Sequence, residues 1–496
     1  MAEFFELNPG VHHDVIIVGA GLSGIGAAWH LQKNCPSKSY AILEARAASG
    51  GTWDLFRYPG IRSDSDMYTL GYRFKPWVDD KSIADGATIL DYIRETAREN
   101  GIDRHIQYGC RVVRADWSSQ DAVWTVQVTR DGAPTTLTAG FVMMCSGYYS
   151  YADGHRPDFP DADRFAGRIV HPQFWPDDLD CRDKKIVVIG SGATAVTLVP
   201  ALCDLGAQVT MLQRSPSYVA ARPGQDNTAM RLRRWLSPGF AYALTRWKNV
   251  LLGSFFYRLA RRRPVAVKQR LIAMVGDALG PDYDVKTHFT PRYDPWDQRL
   301  CAVPDGDLFT AIRSGRAEVV TDTILAFTPT GIALSSGGQL AADVIVTATG
   351  LTMTVLGDLS LAVDGVAVDV GRTMSYKGMM FSDVPNLAYV FGYTNASWTL
   401  KADLTSDYVC RVMNYMDRRG LAVATPRRND PAVTEMPFLD FSSSYITRAL
   451  EKLPKQGSRK PWKLNQNYLL DLIALKFGRI DDGTLQFSRA DPSKAA

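Results

Sequence analysis

The chain has 496 residues, an apolar fraction of 46% and a formal net charge of +4, and this length predicts two or three globular domains instead of a single core. Seven scattered cysteines without CxxC spacing argue against a disulfide framework, and the histidines have no metal-ligand spacing, so we assign no metal. No long apolar run predicts a transmembrane helix, and we find no secretory signal, so we expect a cytoplasmic protein.

The first predicted element is a buried strand that runs into a glycine-rich turn and a helix, in DVIIVGAGLSG at residues 14–24. Gly19 permits the tight turn, Gly21 lets the backbone approach a pyrophosphate, and Gly24 lets helix and strand pack closely. The next strand, YAILEA, ends at Glu44, whose carboxylate can accept hydrogen bonds from ribose hydroxyls and would repel a 2′-phosphate. The sequence therefore predicts a dinucleotide site that prefers FAD or NAD to NADP.

A second cradle of the same kind follows in KIVVIGSGATA at residues 185–195. Gly190 and Gly192 take the first two glycine positions, and Ala195 replaces the third, which the helix-packing position tolerates. The following strand ends at Arg214, where the first unit has its glutamate. Arginine suits a 2′-phosphate and indicates NADPH, with a surface ion pair as the alternative role for this side chain.

Two dinucleotide sites of opposite charge preference indicate electron transfer from NADPH to a tightly held FAD. Disulfide reductases share this plan but carry a redox cysteine pair shortly after the first cradle, where this chain reads GGTWDLFRYPGIRSD without cysteine. We predict an α/β fold with two Rossmann-like dinucleotide-binding domains and a helical insert. The FAD domain is placed at residues 1–147 and 383–496, the NADPH domain at 148–382, and the insert at about 218–298.

A basic segment at residues 231–270 holds eleven lysines and arginines and no acidic residue. We interpret it as a helical subdomain with a solvated basic face, and peripheral contact with an anionic membrane surface is an open alternative. No recognised nucleic-acid motif accompanies the charge, so we predict no nucleic-acid partner. Aromatic side chains interleave with the cations at Trp235, Phe240, Trp247, Phe255 and Phe256.

Two further motifs resemble a known enzyme family. The segment at 50–64 resembles the long fingerprint of type I Baeyer–Villiger monooxygenases, in the flavin-containing monooxygenase superfamily, and FAGRIVHPQFWP at 165–176 is similar to their short fingerprint. Related flavin N-oxygenating enzymes usually lack the Trp–Pro ending. GYTNASWTLKADL and LPKQGSR match one subgroup, and the resemblance covers essentially the whole chain. The matching positions are Gly51, Trp53, Tyr58, Pro59, Gly60 and Asp64 in the long motif, and Phe165, Gly167, His171, Trp175 and Pro176 in the short one.

The resemblance implies an FAD-dependent enzyme that consumes NADPH and O2, acts through a C4a-peroxyflavin, and converts ketones to esters or lactones. Oxygenation of sulfur in thioethers or thioamides is implied as well. The alternatives are a flavin monooxygenase that oxygenates only sulfur or nitrogen and, on the basic segment alone, a membrane-associated redox sensor.

The family's active-site arginine corresponds to Arg299, in WDQRLC, and Asp64 would pair with it and hold its orientation. The positive charge of Arg299 would stabilise the peroxide and the adduct that it forms with the substrate. An interdomain salt bridge for Arg299 and a helix cap for Asp64 remain alternatives. Gln298 stands where several family members have a lysine that binds the NADPH phosphate, so a weaker preference for NADPH over NADH is expected.

The short fingerprint lies at the joint between the two predicted domains. We expect His171 and Trp175 to anchor this linker while the domains rotate, with plain packing as the alternative and direct acid–base chemistry as the least favoured role. Two more aromatic residues have two interpretations each. Trp398 either lines the substrate pocket or packs, and Trp462 either covers bound NADP or packs.

Overall fold

The structure, a computed structural model, describes residues 10–298, 300–439 and 444–490. Within these ranges the chain forms two units built on parallel sheets, a helical insert and a C-terminal segment. The predicted α/β class with two Rossmann-like dinucleotide-binding domains is confirmed. In the same ranges, no helix combines the length and the apolar character that crossing a membrane requires.

The first unit contains a nine-stranded sheet within the described residues. Its strand His12–Val18 pairs in parallel with Tyr40–Leu43 and Ala133–Met144, and its VIIV stretch is buried, as a strand covered on both faces requires. The helix Leu22–Asn34 follows and packs on Trp398–Arg419. The other strands are Ile106–Gln107, Cys110–Ser118, Val123–Arg130, Ser360–Val363, Val366–Ala367 and Leu387–Tyr389, and the other helices are Thr52–Leu55, Met67–Leu70 and Gly86–Glu99.

The second unit is a five-stranded sheet in which every pairing is parallel. The strand Lys185–Ile189 leads into the helix Ala193–Asp204, and a second helix, Asp307–Arg313, packs beside it. The remaining strands of the sheet are Arg168–Val170, Gln208–Gln213, Ala317–Thr321 and Val344–Thr347, and an antiparallel group of Ile324–Thr328, Gly331–Leu334 and Gln339–Ala341 adjoins them.

The insert leaves the second unit between two strands that pair in parallel, Val219–Arg222 and Cys301–Pro304. Its longest helix, Pro238–Arg262, contacts the helix Met67–Leu70 of the first unit. The insert therefore bridges the two units as well as extending one of them. Its other helices are Asn227–Arg233, Pro264–Leu279 and Val285–His288.

Two strands connect the units and pair antiparallel with each other, Tyr149–Gly154 and Leu351–Met353. Shortly after the second of them, Ser360–Val363 already pairs with Cys110–Ser118 in the first sheet. The chain thus re-enters the first sheet before residue 383, where the sequence analysis places the second part of the FAD domain. The four-residue stretch SLAV is too short for its sequence to indicate which sheet it joins.

The C-terminal segment covers the first unit with short elements. Val423–Pro426 pairs with Leu485–Ser488, and Glu435–Pro437 pairs with Lys455–Gly457. Its helices are Ser444–Thr447, Tyr468–Leu472 and the π-helical turn Ile473–Phe477, and the ribbon Ser375–Tyr376 with Met380–Phe381 lies nearby in sequence.

Candidate functional site

The turn after the first strand forms a cradle into which only glycine fits. Gly19 has φ +105°, and a Cβ there would lie 2.7 Å from the carbonyl oxygen of Cys145. A Cβ on Gly24 would lie 1.9 Å from the carbonyl oxygen of Gly19, so helix and turn could not stay in contact. Gly21 caps the helix Leu22–Asn34 without a side-chain hydrogen bond, which leaves N–H groups of the first turn open to a phosphate.

Glu44 closes the other side of this cradle. Its carboxylate oxygens accept hydrogen bonds from the backbone N–H groups of Ala20 (2.8 Å) and Arg46 (2.9 Å), and they line the cavity in front of the turn. Burial raises the pKa of Glu44 in spite of these bonds. Gly51 approaches from the opposite side, where an added Cβ would lie 3.1 Å from the Cα of Gly21. The first cradle therefore has the shape and the donor and acceptor groups that fit the dinucleotide part of FAD.

The second cradle repeats this geometry. Gly190 has φ +139°, and a Cβ there would lie 2.4 Å from the carbonyl oxygen of Ala348. At Gly192 an added Cβ would meet no atom of the described residues within 4 Å, so the backbone is open to a cofactor there. Ala195 is fully buried at the helix-packing position. Arg214 is exposed directly after the strand Gln208–Gln213, as an arginine that binds a cofactor phosphate must be.

We expect Arg214→Ala to raise the KM for NADPH by roughly tenfold to a hundredfold, the value of a charge-assisted hydrogen bond to phosphate, and to leave the KM for NADH unchanged. Steady-state oxidation of the two nucleotides measures both constants. Arg182→Ala removes another exposed arginine of the same unit and serves as the matched control. Equal changes for NADPH and NADH would show that Arg214 does not read the 2′-phosphate.

A cavity of about 580 Å³ lies where the two units meet. Its wall includes Trp53 from the 50–64 loop, Thr194 and Thr197 from the second cradle helix, and Tyr58, whose pKa burial raises to about 12. Groups that bind one dinucleotide thus face those that would bind the other across a single space. This is the arrangement that hydride transfer between two cofactors requires.

The 50–64 loop is fixed to both units. Gly60 has φ +76°, and a Cβ there would lie 2.6 Å from the Cβ of Ala201 in the second unit. Arg62 forms an ion pair with Asp307, at the start of a helix in that unit. The two members of this pair lie 245 positions apart, so no local sequence pattern indicates it.

Asp64 lies in the wall that this cavity shares with an adjoining one of about 530 Å³. The helix Met67–Leu70 is capped by Asp66, whose carboxylate accepts a hydrogen bond from the Thr69 N–H at 3.1 Å. The alternative role of Asp64 as that cap is therefore wrong. Arg299 lies outside the described residues, so its pairing with Asp64 stays a prediction.

The short motif lies at the joint, away from the cavity. Phe165 is buried in the second unit, and a Cβ on Gly167 would lie 2.3 Å from the carbonyl oxygen of Asp343. Trp175 packs against the core of the second unit, and Pro176 is half-buried beside it. These residues hold the segment on the second sheet.

His171 contacts the end of one connecting strand and the residue directly before the other. Its Nδ1 accepts a hydrogen bond from the Gln173 N–H at 3.2 Å, and its Nε2–H donates to the Gly350 carbonyl at 3.3 Å. On the other connection, a Cβ on Gly154 would lie 2.1 Å from the imidazole Cε1. Burial lowers the pKa of His171 below 6.5, so the neutral ring that accepts from Gln173 persists at neutral pH. The stability that it contributes is lost as the pH falls through this lowered pKa.

We expect His171→Ala to keep the NADPH-dependent reduction of FAD and to lower coupling, raising hydrogen peroxide release per NADPH several-fold. The ring's hydrogen bond to the Gly350 carbonyl ties the short motif to the connection between the units, and the expected result follows if this contact controls their relative movement without entering the chemistry. Stopped-flow reduction and a peroxide assay measure the two effects. Phe174→Ala, which truncates an exposed ring of the same segment, is the control, and normal coupling in His171→Ala would refute this role.

The surroundings of Trp398 and Trp462 distinguish between the two interpretations given for each. Trp398 lines the cavity, donates from Nε1 to the Ser23 hydroxyl at 2.7 Å and stacks on Tyr148 with ring centroids 5.1 Å apart. Trp462 is 2% exposed in the core of the first unit, 5.9 Å from the Tyr376 ring. The structure thus favours the pocket for the first and packing for the second.

Arg246 is a residue that sequence reasoning missed. Its buried guanidinium donates to the carbonyl oxygens of Tyr68 and Gly71, both at 2.8 Å, and lies 3.7 Å from the Asp403 carboxylate. It anchors the long insert helix to the segment that follows Asp64. In the sequence Arg246 is one of the eleven lysines and arginines of the basic segment at 231–270. The structure distinguishes it from an exposed cation, because it is only 5% exposed.

The cysteine thiols lie inside the protein. All seven cysteines are buried, and burial raises the pKa of Cys145, beside the first cradle, to about 12. At neutral pH this group is a thiol and a poor nucleophile. In the described part of the chain, no three His, Cys, Asp or Glu side chains are grouped to hold a metal ion.

Comparison with known sequences agrees with these features. Residues 17–75 match the NAD(P)-binding Rossmann-like domain, and residues 75–236 match the flavin-binding monooxygenase-like family. The FAD-containing monooxygenase EthA of Mycobacterium tuberculosis (strain H37Rv) is 55% identical over 96% of this chain and 98% of its own length. The probable FAD-binding monooxygenase AlmA of Acinetobacter baylyi is 48% identical over 96% of both chains.

Solved structures share the fold at low identity. The structure of an oxidized steroid monooxygenase bound to NADP has a TM-score of 0.76 at 21% identity and covers 97% of this chain and 100% of its own. The open structure of cyclohexanone monooxygenase has a TM-score of 0.75 at 18% identity and covers 96% and 100%. With 55% identity to EthA across 96% of the chain, this protein belongs to the FAD-containing monooxygenases, and it has the fold of the steroid and cyclohexanone monooxygenases.

Proposed function

We propose that the protein is a Baeyer–Villiger monooxygenase that inserts one oxygen atom of O2 into ketones, giving esters or lactones, and also oxygenates sulfur in thioethers and thioamides. The observation that carries the proposal is the placement of the 50–64 loop. This loop joins both dinucleotide units and sets Asp64 in the wall between two adjoining cavities. A carboxylate there can orient a cation at the place where the substrate reacts.

FAD, once reduced by NADPH, supplies the oxygenating power together with O2. The chain's own groups would bind and orient the reactants: the first cradle and Glu44 hold the FAD dinucleotide, and Arg214 holds the NADPH phosphate. Asp64 would fix the guanidinium of Arg299, whose charge would stabilise the negative oxygen that develops on a ketone carbonyl. The aromatic wall formed by Trp53, Phe56 and Trp398, among other residues, limits water in the cavity and strengthens that interaction.

Product analysis under labelled dioxygen tests the proposal. A simple methyl ketone, a cyclic ketone and a thioether are each incubated with the FAD-loaded enzyme, NADPH and ¹⁸O2. We expect one ¹⁸O atom in an ester or lactone, the second in water, and one NADPH consumed per product. An ester with unlabelled inserted oxygen, or no ester or lactone from any ketone, would contradict the Baeyer–Villiger assignment.

The same products distinguish the other two hypotheses. An enzyme that oxygenates only sulfur or nitrogen would give the sulfoxide and leave every ketone unchanged. A redox sensor would show no rise in NADPH oxidation when ketone or thioether is added. Both remain outcomes of the experiment, and neither has a site feature that favours it over ketone oxygenation.

A further inference from the structure

The long insert helix, Pro238–Arg262, exposes an apolar stripe that the fold does not use. Its five members follow one another at intervals of three or four positions, which places them on one face of the helix, and each is between 40% and 58% exposed. The opposite face, with Tyr242, Arg246 and Val250, is buried against the rest of the molecule. The insert stripe consists of Phe240, Leu244, Trp247, Leu251 and Phe255.

A second helical stretch extends this surface. The rings of Trp247 and Tyr468 lie 6.1 Å apart, so the start of the helix Tyr468–Leu472 borders the insert stripe. From this stretch Leu470, Ile473 and Phe477 are 45%, 61% and 71% exposed. Together with the segment from 235 to 274, it holds 13 of the 22 large apolar side chains that are exposed among the described residues. Such concentration marks an interaction surface.

Arginines stand at both ends of the insert stripe. Arg231 and Arg234 precede it, next to Trp235, which is 87% exposed, and Arg258 and Arg262 follow it. All four arginines are exposed, and none has an ion-pair partner in the described part of the chain. The surface therefore offers apolar side chains at its centre and unpaired positive charge at its rim.

The same helix forms part of the wall of the 530 Å³ cavity that adjoins the flavin cavity. Leu252 and Phe256 line this cavity while remaining 48% and 44% exposed, so they stand at its mouth. The two cavities share Asp64, Ser65 and Ala302 in their walls. The insert stripe thus borders a cavity that is separated from the flavin cavity only by a wall of shared residues.

We propose that this surface docks on an anionic membrane, and that lipophilic ketones or sulfides pass from the lipid directly into the adjoining cavity. The proposed docking is inferred from the exposed side chains alone, whereas the class of substrate rests on the proposed function. Insertion of apolar side chains between acyl chains removes them from water and favours binding, and arginines at the rim bind lipid phosphates. A second copy of this chain is disfavoured as the occupant, because pairing the surface with itself would bring the arginines of both copies together.

Flotation of the FAD-loaded protein with vesicles of phosphatidylcholine, alone or mixed with phosphatidylglycerol, tests the docking. We expect binding to the mixed vesicles at low salt and weaker binding at high salt. Leu251→Ser/Phe255→Ser and Arg258→Glu/Arg262→Glu should each weaken binding by roughly tenfold or more. The matched controls are Leu325→Ser/Val366→Ser and Arg182→Glu/Lys184→Glu, which make the same changes on other exposed surfaces and should bind like the unchanged protein.

Two further measurements complete the test. Quenching of Trp235 fluorescence by bromine-labelled acyl chains should appear in the unchanged protein and disappear in Arg258→Glu/Arg262→Glu. The KM for a long-chain ketone dissolved in vesicles should rise in this variant, with an unchanged kcat for a short water-soluble ketone. Absence of flotation, equal binding by all variants, or concentration-dependent dimerisation abolished by Leu251→Ser/Phe255→Ser would overturn the docking, whether or not the enzyme oxygenates ketones. Vesicle binding with an unchanged KM would overturn the delivery of substrate from lipid.

Discussion

Gly24→Ala is expected to yield protein without FAD, with flavin content lowered by roughly tenfold or more. The added Cβ would lie 1.9 Å from the carbonyl oxygen of Gly19, and both groups belong to the backbone of the cradle. No side chain can move to relieve this contact, so the helix must shift away from the strand and its N-terminus must leave the phosphate. Visible flavin absorbance per protein, compared with the far-ultraviolet circular dichroism of the same sample, measures the effect.

Gly192→Ala in the second cradle is the matched control. The same methyl group meets no atom of the described residues within 4 Å there, so the fold and the FAD content should be unchanged. Its Cβ instead occupies space that the NADPH pyrophosphate would need, and the KM for NADPH should rise. Full FAD content in Gly24→Ala, or loss of FAD in Gly192→Ala, would refute the assignment of the two cradles.

Local sequence patterns sufficed to locate both cradles. The sequence predicts a helix directly after the first glycine turn, and the structure has it at Leu22–Asn34, because a buried strand, a glycine turn and a helix lie within a short stretch of chain. The orientation of Glu44 and the exposure of Arg214 follow from the ends of adjacent parallel strands. Turns, helix starts and strand ends depend on residues that are close together in the chain, and the sequence shows these directly.

Contacts between distant segments could not be predicted in this way. Arg62 and Asp307 lie 245 positions apart, and Arg246 meets the carbonyl oxygen of Tyr68 178 positions away. Each is an ordinary charged residue in its own stretch of sequence, and only the packing of one unit on another gives it a partner. The early return to the first sheet at Ser360 has the same cause, since one face of a short apolar strand suits many sheets.

The active-site assignment depends on Asp64 and Arg299 together, and only Asp64 is placed by the structure. Asp64 lies in the wall between the two cavities. The capping role that competed for this residue belongs to Asp66.

We expect Arg299→Ala to lower the rate of ester or lactone formation by about 10²–10³-fold, because one group that stabilises developing negative charge is removed. Reduction of FAD by NADPH should continue, with hydrogen peroxide released in place of product. Sulfoxidation of a thioether should fall much less, since oxygen transfer to a neutral sulfur develops no carbonyl oxyanion. Product rates for a ketone and a thioether, measured on the same preparation, separate these effects.

Asp64→Asn should also lower the rate of ketone oxygenation more than that of thioether oxygenation, but by a smaller factor. A neutral amide can hold a guanidinium by hydrogen bonding but without charge. Arg292→Ala removes an exposed arginine of the same segment and should leave both rates unchanged. A variant of Arg299 that oxygenates ketones normally would show that another group stabilises the oxyanion. Parallel loss of ketone and thioether oxygenation would instead assign Arg299 to binding of cofactor or to the contact between the units, because neither of those roles can distinguish carbon from sulfur.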